Sequence, residues 1–174
     1  MALKHIAPTI RQTITSLKAG MGARVAVFNA ETENEVTLVD PADDSYIFGA
    51  DDQLERHPFP IIEVVITAGD FGEADIYRGV YDLVERLNVT VWAEGKTGEV
   101  SEIYEMIAGY GRCILEVLLQ PSAFGDGVEI AHAPAAVSYS YMTISTAPAE
   151  DRDFDQFRTA GTFSFVLHDE TPSS

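Results

Sequence analysis

Carboxylates dominate the residues able to do chemistry. Twenty-eight Asp and Glu stand against eleven Lys and Arg, a net charge of −17 over 174 residues. Paired carboxylates suit acid–base work or cation binding, but a chain this acidic pairs them by composition alone, and no spacing singles out one pair. Asp151-Arg152-Asp153-Phe154-Asp155 imitates the opening of a calcium loop. The motif fails: Gln156 stands where the turn needs glycine, and Thr162 where a bidentate Glu should close the shell. His5, His57, His132 and His168 are scattered, without HExxH or Cys/His pairing, so no metal centre is expected. Cys113 flanks an apolar helical stripe and reads as a buried, inert thiol. No GxSxG nucleophile elbow occurs, and Gly109-x-Gly111 lacks the third glycine of a dinucleotide fingerprint. The residues therefore give no expected catalytic, cofactor-binding or metal-binding set.

The elements that would position such residues are clearer. The spacing predicts a first helix over Pro8–Ala19, with Ile6, Ile10, Ile14 and Leu17 near one face and Gly20-Met21-Gly22 as its stop. Arg24–Phe28 and Glu35–Val39 read as short neighbouring strands. Asp40–Pro58 reads as a long irregular acidic loop, with Tyr46-Ile47-Phe48 as its anchor to the body or to a partner. A strand is expected at Ile61–Thr67. Alternation of Leu83, Leu87, Val89, Val91 and Ala93, broken only by Glu85, favours a strand from Val80 to Gly95. Trp92 faces opposite to Val91 and Ala93, and packing is its expected role.

A second helix over Glu99–Gln120 carries the stripe Ile103, Ile107, Tyr110, Ile114 and Leu118. Gly109 and Gly111 cost this helix about 1 kcal/mol each relative to Ala, so they imply a close contact or a kink. Strands follow at Val128–Ala131, Ala136–Thr146 and Gln156–His168, with a frayed tail at Glu170–Ser174. This order makes an α+β single domain spanning residues 1–174: a mainly antiparallel sheet, with mixed pairing allowed, packed against two principal helices.

Bulk numbers narrow the function classes. At 46% apolar and 22% charged the composition is that of a globular domain. No stretch approaches the roughly 18 consecutive apolar residues of a membrane helix. The first residues have no apolar run typical of a secretory signal, and the single cysteine fits a reducing compartment. Asn88-Val89-Thr90 matches a glycosylation acceptor, but inside a strand it reads as a chance match. The strong negative charge disfavours reading or wrapping DNA, which requires Lys and Arg against phosphates.

The segments FPIIEVV (Phe59–Val65), VTVWAEG (Val89–Gly95), the Ile- and Leu-rich helix after it and TFSFVL (Thr162–Leu167), behind an N-terminal helix, occur in a telling order. In that order the chain resembles the tail terminator (tail completion) proteins of long-tailed bacteriophages. The resemblance covers most of the chain from Pro60 onward. The Asp40–Pro58 and Pro121–Ala136 regions are longer than a minimal member needs. It implies a virion protein of the tail, assembled in the host cytoplasm, with no chemistry and no cofactor. Its partners would be six copies of itself in a ring, the tail tube protein and a head-completion or connector protein. DNA would pass through without specific binding, and no membrane would be involved.

The candidate interface or channel-lining residues are Asp43, Asp44, Tyr46, Phe48, Asp51, Asp52 and Glu55, with Glu150, Asp151 and Asp153. Carboxylates lining a channel would repel DNA and keep it from adhering. Another connector or tail tube protein is the nearest alternative; a small-ligand-binding protein or enzyme is the alternative from another class.

Overall fold

The computed structural model describes residues 3–49, 56–71, 80–96, 100–131, 137–146 and 156–172. Helix α1 (Leu3–Ala30) opens the chain, and a 3-10 turn (Asp43–Ser45) leads into strand β1 (Tyr46–Phe48). Strands β2 (Ile61–Phe71) and β3 (Val80–Lys96) come next, then helix α2 (Val100–Leu118). Strands β4 (Val128–Ile130), β5 (Val137–Thr146) and β6 (Gln156–Pro172) complete it.

Alternation builds one sheet from these strands. Its order is β1-β2-β3-β6-β4, with β5 also on β6. β4 lies opposite Leu167–Asp169 and β5 opposite Gln156–Phe165, so the two share one edge of β6. Every pairing is antiparallel except β1 with β2, which is parallel. The α+β arrangement of a mainly antiparallel, mixed sheet on two helices is as the sequence implies.

The core lies between the helices and one face of the sheet. Ile62 and Val64 of β2, Leu87, Val89 and Val91 of β3, and Phe163, Phe165 and Leu167 of β6 are all buried there. Burying apolar area at about 25 cal/mol per Å2 makes this face the main source of stability. The expected stripe of α2 is buried along its length, from Ile103 through Ile107, Tyr110 and Ile114 to Leu118. Glu85 breaks the apolar alternation of β3 and is nevertheless only 2% exposed.

Five sequence expectations need correction. Helix α1 does not stop at Gly20-Met21-Gly22 but runs to Ala30, so Arg24–Phe28 is helix and not strand. Met21, Val25 and Phe28 continue the buried stripe of Ile10 and Leu17 at three- and four-residue spacing, while Val27 is half exposed. The glycines serve close packing: a Cβ at Gly20 would lie 2.7 Å from a Val117 methyl, and one at Gly22 2.8 Å from Asp40 Oδ2. Glu35–Val39 is not a strand; its backbone is held by Asn29, whose amide donates to the Leu38 carbonyl and accepts from Leu38 N–H.

The Asp40–Pro58 segment is not irregular throughout, because it contributes the 3-10 turn and β1 to the sheet. The tail expected to fray at Glu170 instead continues β6 to Pro172, where Glu170, Thr171 and Pro172 pair with Asp82, Tyr81 and Val80.

The glycines of α2 have the close contacts their sequence position implies. A Cβ at Gly109 would lie 2.8 Å from the Phe28 ring, and one at Gly111 would collide with the Phe163 ring. The first glycine lets α1 approach; the second seats α2 on β6.

Candidate interaction surfaces

Two unlike surfaces flank the core. The first is the β1 edge of the sheet. Asp43 and Asp44 are exposed in the 3-10 turn, and Ser45 behind them is fully buried. Ser45 Oγ donates to the Pro58 carbonyl at 2.9 Å, and His57 Nδ1 donates to the Asp44 carbonyl at 2.8 Å. These two bonds tie the ends of the acidic segment together, so the backbone under the carboxylates is fixed. Gly49, at φ +80°, donates its N–H to the Val64 carbonyl at 2.9 Å and ends the strand pairing.

Tyr46 is half-buried, and Lys18 Nζ of α1 stands 5.5 Å from its ring centroid. This is cation–π distance. Burial, and then the nearby Asp40 and Asp43 charges, push the Tyr46 phenol well above its ordinary value. Phe48 on the same strand is 50% exposed, a large apolar side chain left at the sheet edge.

The second surface is the sheet face turned away from the helices. Among the described residues its buried cluster is Ile47, Ile61, Trp92 and Ala160, with Phe59 against them. Trp92 is packed, as expected, and its indole N–H donates to Glu63 Oε2 at 3.2 Å. Beyond this cluster the register lays out hydroxyl and amide rows. Glu63, Thr90, Thr162 and Ser140 sit side by side across four strands, and Val65, Asn88 and Ser164 form the next row. Thr90 and Thr162 share a hydrogen bond at 3.0 Å.

An ion pair is made within this face. Glu94 lies 4.0 Å from Arg158, whose guanidinium stacks 5.5 Å over the Phe59 ring. Arg86, next along β3 from Asn88 on the same face, is exposed and makes no ion pair with a described residue. Glu129, opposite His168 in the register, adds an exposed carboxylate to the same face.

Of the ten residues singled out from sequence, Asp43, Asp44, Tyr46 and Phe48 come together at the β1 edge. Asp51, Asp52, Glu55, Glu150, Asp151 and Asp153 lie outside the described residues. Sequence reasoning missed the polar rows of this face and Arg86. Their signal was the polar half of the alternating strand, Arg86, Asn88 and Thr90, read only for the apolar half.

Among the described residues no group of three or more His, Cys, Asp or Glu is placed to hold a metal ion. Burial pushes the Cys113 thiol up to about 11, with the Glu116 charge adding to the effect, so the thiol stays protonated near neutral pH. An open groove of about 510 Å3 lies between the end of α2 and β4, with Glu129 as the ionisable residue in its lining. No family model matches the chain, and no curated protein sequence matches it.

Proposed function

We propose that the chain is a structural subunit of a phage tail, a tail terminator that closes into a ring on the tail tube and joins it to the head connector. The reading starts from the order of segments resembling that family and is supported by the α+β subunit with its sheet backed by helices. One observation carries it: β1 is a three-residue edge strand behind exposed Asp43 and Asp44, with Phe48 half exposed on it, an open sheet margin suited to contact with another copy. A ring of identical copies in head-to-tail contact requires two different, complementary patches on each copy.

The work is mechanical. Identical contacts repeated around the ring fix its diameter, and the ring stops tube growth by covering the tube's last layer. Acids facing the channel would repel DNA phosphates and let the genome pass without adhering.

Negative-stain images of the purified protein test this reading. Closed rings with a central hole are the expected result. Filaments would instead favour a tail tube subunit, which must stack on copies of itself, and single compact particles would count against assembly.

A further inference from the structure

We propose that β1 of one copy adds, antiparallel, to the open edge of β4 on a second copy of this chain, with Phe48 seated at the groove between β4 and the end of α2. The proposal rests on the ring reading and names the contact within it. β1 and β4 end the sheet, each three residues long, and among the described residues neither pairs with a further strand on its outer side. The bonds they already make fix which groups face outward. Gly49 N–H donates to the Val64 carbonyl, so by alternation Ile47 and Gly49 bond to β2 while Tyr46 and Phe48 turn their N–H and C=O away from it. Ala131 N–H donates to the Val166 carbonyl, so Glu129 bonds to β6 while Val128 and Ile130 turn outward.

The outward-bonding residues of both strands also lie on one face. Tyr46 and Phe48 register with Ile62 and Val64, and Val128 and Ile130 pack on the core, so all four are on the helix side of the sheet. Opposed residues share a face, and only in an antiparallel pair do they exchange bonds with each other directly. Tyr46 opposite Ile130 and Phe48 opposite Val128 meets both conditions and uses every residue of the two strands. A parallel pair would set outward-bonding residues opposite each other, where they cannot bond. Three backbone bonds result: two between Tyr46 and Ile130, and one from Phe48 N–H to the Val128 carbonyl. The Val128 N–H already faces the Gly125 carbonyl at 3.4 Å.

Side chains complete the fit. The register brings half-exposed Phe48 beside the groove of about 510 Å3, whose lining includes Leu118, Leu119, Phe124 and Ile130, with Leu119 exposed. Backbone bonds along the edge and an apolar side chain in an adjoining groove are the two parts of strand addition. Charge selects the same orientation. Copies carrying −17 each repel wherever acid meets acid. Antiparallel docking turns Asp43 and Asp44 toward the sequence after β4, where no Asp or Glu occurs between Glu129 and Glu150. Glu129 faces the helix-free side, opposite Ile47. Exposed Asp126 lies at the other end of the contact, six register positions or about 20 Å from Asp44, well beyond the Debye length at 0.15 M salt. Because the donating and receiving edges differ, the contact is head-to-tail and can close a ring.

Cysteine cross-linking of the full-length chain tests the pairing. Phe48→Cys/Val128→Cys puts thiols at a bonded antiparallel pair, whose Cα atoms would stand about 5.5 Å apart across the contact, within disulfide reach. On oxidation this variant should give a ladder of linked species up to six copies on denaturing gels, and each single variant only the monomer. The native Cys113 is buried and takes no part. A linked dimer from Phe48→Cys alone would show β1 meeting β1 across a two-fold axis and would overturn the proposal. Val128 is buried, so a second measurement leaves it untouched. Phe48→Ala and Leu119→Glu, both at exposed positions, should each raise the concentration for half-assembly in sedimentation by about tenfold or more, with circular dichroism unchanged. Wild-type rings that neither substitution disturbs overturn this contact and leave the ring reading standing; a wild-type chain that never assembles overturns both readings.

Discussion

The phenol of Tyr110 grips both backbone groups of Val39: it accepts from the Val39 N–H at 2.9 Å and donates to the Val39 carbonyl at 2.8 Å. Tyr110 sits in the middle of the α2 stripe, fully buried, so the two bonds pin the segment after α1 onto the second helix. That segment leads directly into the acidic turn and β1. The core of the domain therefore holds the proposed contact edge in place.

Tyr110→Phe should loosen this link. It removes both hydrogen bonds and leaves two part-buried backbone groups to find water, a cost of about 1–2 kcal/mol. Urea unfolding followed by circular dichroism would register the loss as a lower midpoint with an unchanged slope.

Alkaline titration probes the same residue by a different route. Burial pushes the Tyr110 phenol up to about 12, opposed by the bond with Val39, against an ordinary value of 10.0. Because the folded value is the higher, the stability involved is fully present below pH 10.0 and is lost as pH rises through about 12. Wild type should weaken across that window more steeply than Tyr110→Phe. Equal slopes for the two proteins would show that the buried phenol does not govern alkaline unfolding.

Gly111→Ala sets helix propensity against packing. Alanine favours the helix by about 1 kcal/mol, but its methyl would collide with the Phe163 ring on β6. Overpacking a core costs about 1–3 kcal/mol, so the substitution should be net destabilising. Thermal unfolding decides the sign. A raised midpoint would mean that α2 does not seat on the sheet through this glycine.

Trp92 and Glu63 form a second coupled pair, on the helix-free face. Trp92→Phe leaves the Glu63 carboxylate, 9% exposed, without its indole donor, at a cost of about 1–3 kcal/mol. Replacing both partners, as Trp92→Phe/Glu63→Leu, should be milder than the sum of the single changes. A double-mutant cycle in urea measures the coupling; strict additivity would sink the pairing.

The parts legible in the sequence share a physical cause. Strands β2, β3 and β6 and helix α2 each expose one periodicity over many residues, and their apolar positions became the buried face. The failures were equally specific. Arg24–Phe28 offers valines at alternate positions, so it mimics a strand, yet the residues that pack are Val25 and Phe28 at helical spacing. Gly20 and Gly22 resembled a stop because propensity is local, whereas their contacts with Val117 and Asp40 are tertiary. β1 is three residues long and pairs in parallel, too short for any periodic signal. At the proposed surfaces, the acidity of the Asp43–Phe48 segment was visible in sequence. The pairing of Glu63 with Trp92 and of Glu94 with Arg158 depends on cross-strand register and was not.

The central claim is that identical copies close into a ring, and solution mass tests it most directly. Sedimentation equilibrium over a wide concentration range should converge on one closed species, with six copies of 19.0 kDa giving about 114 kDa. A mass that stays at 19.0 kDa at every concentration, or one that grows without limit, would contradict the account.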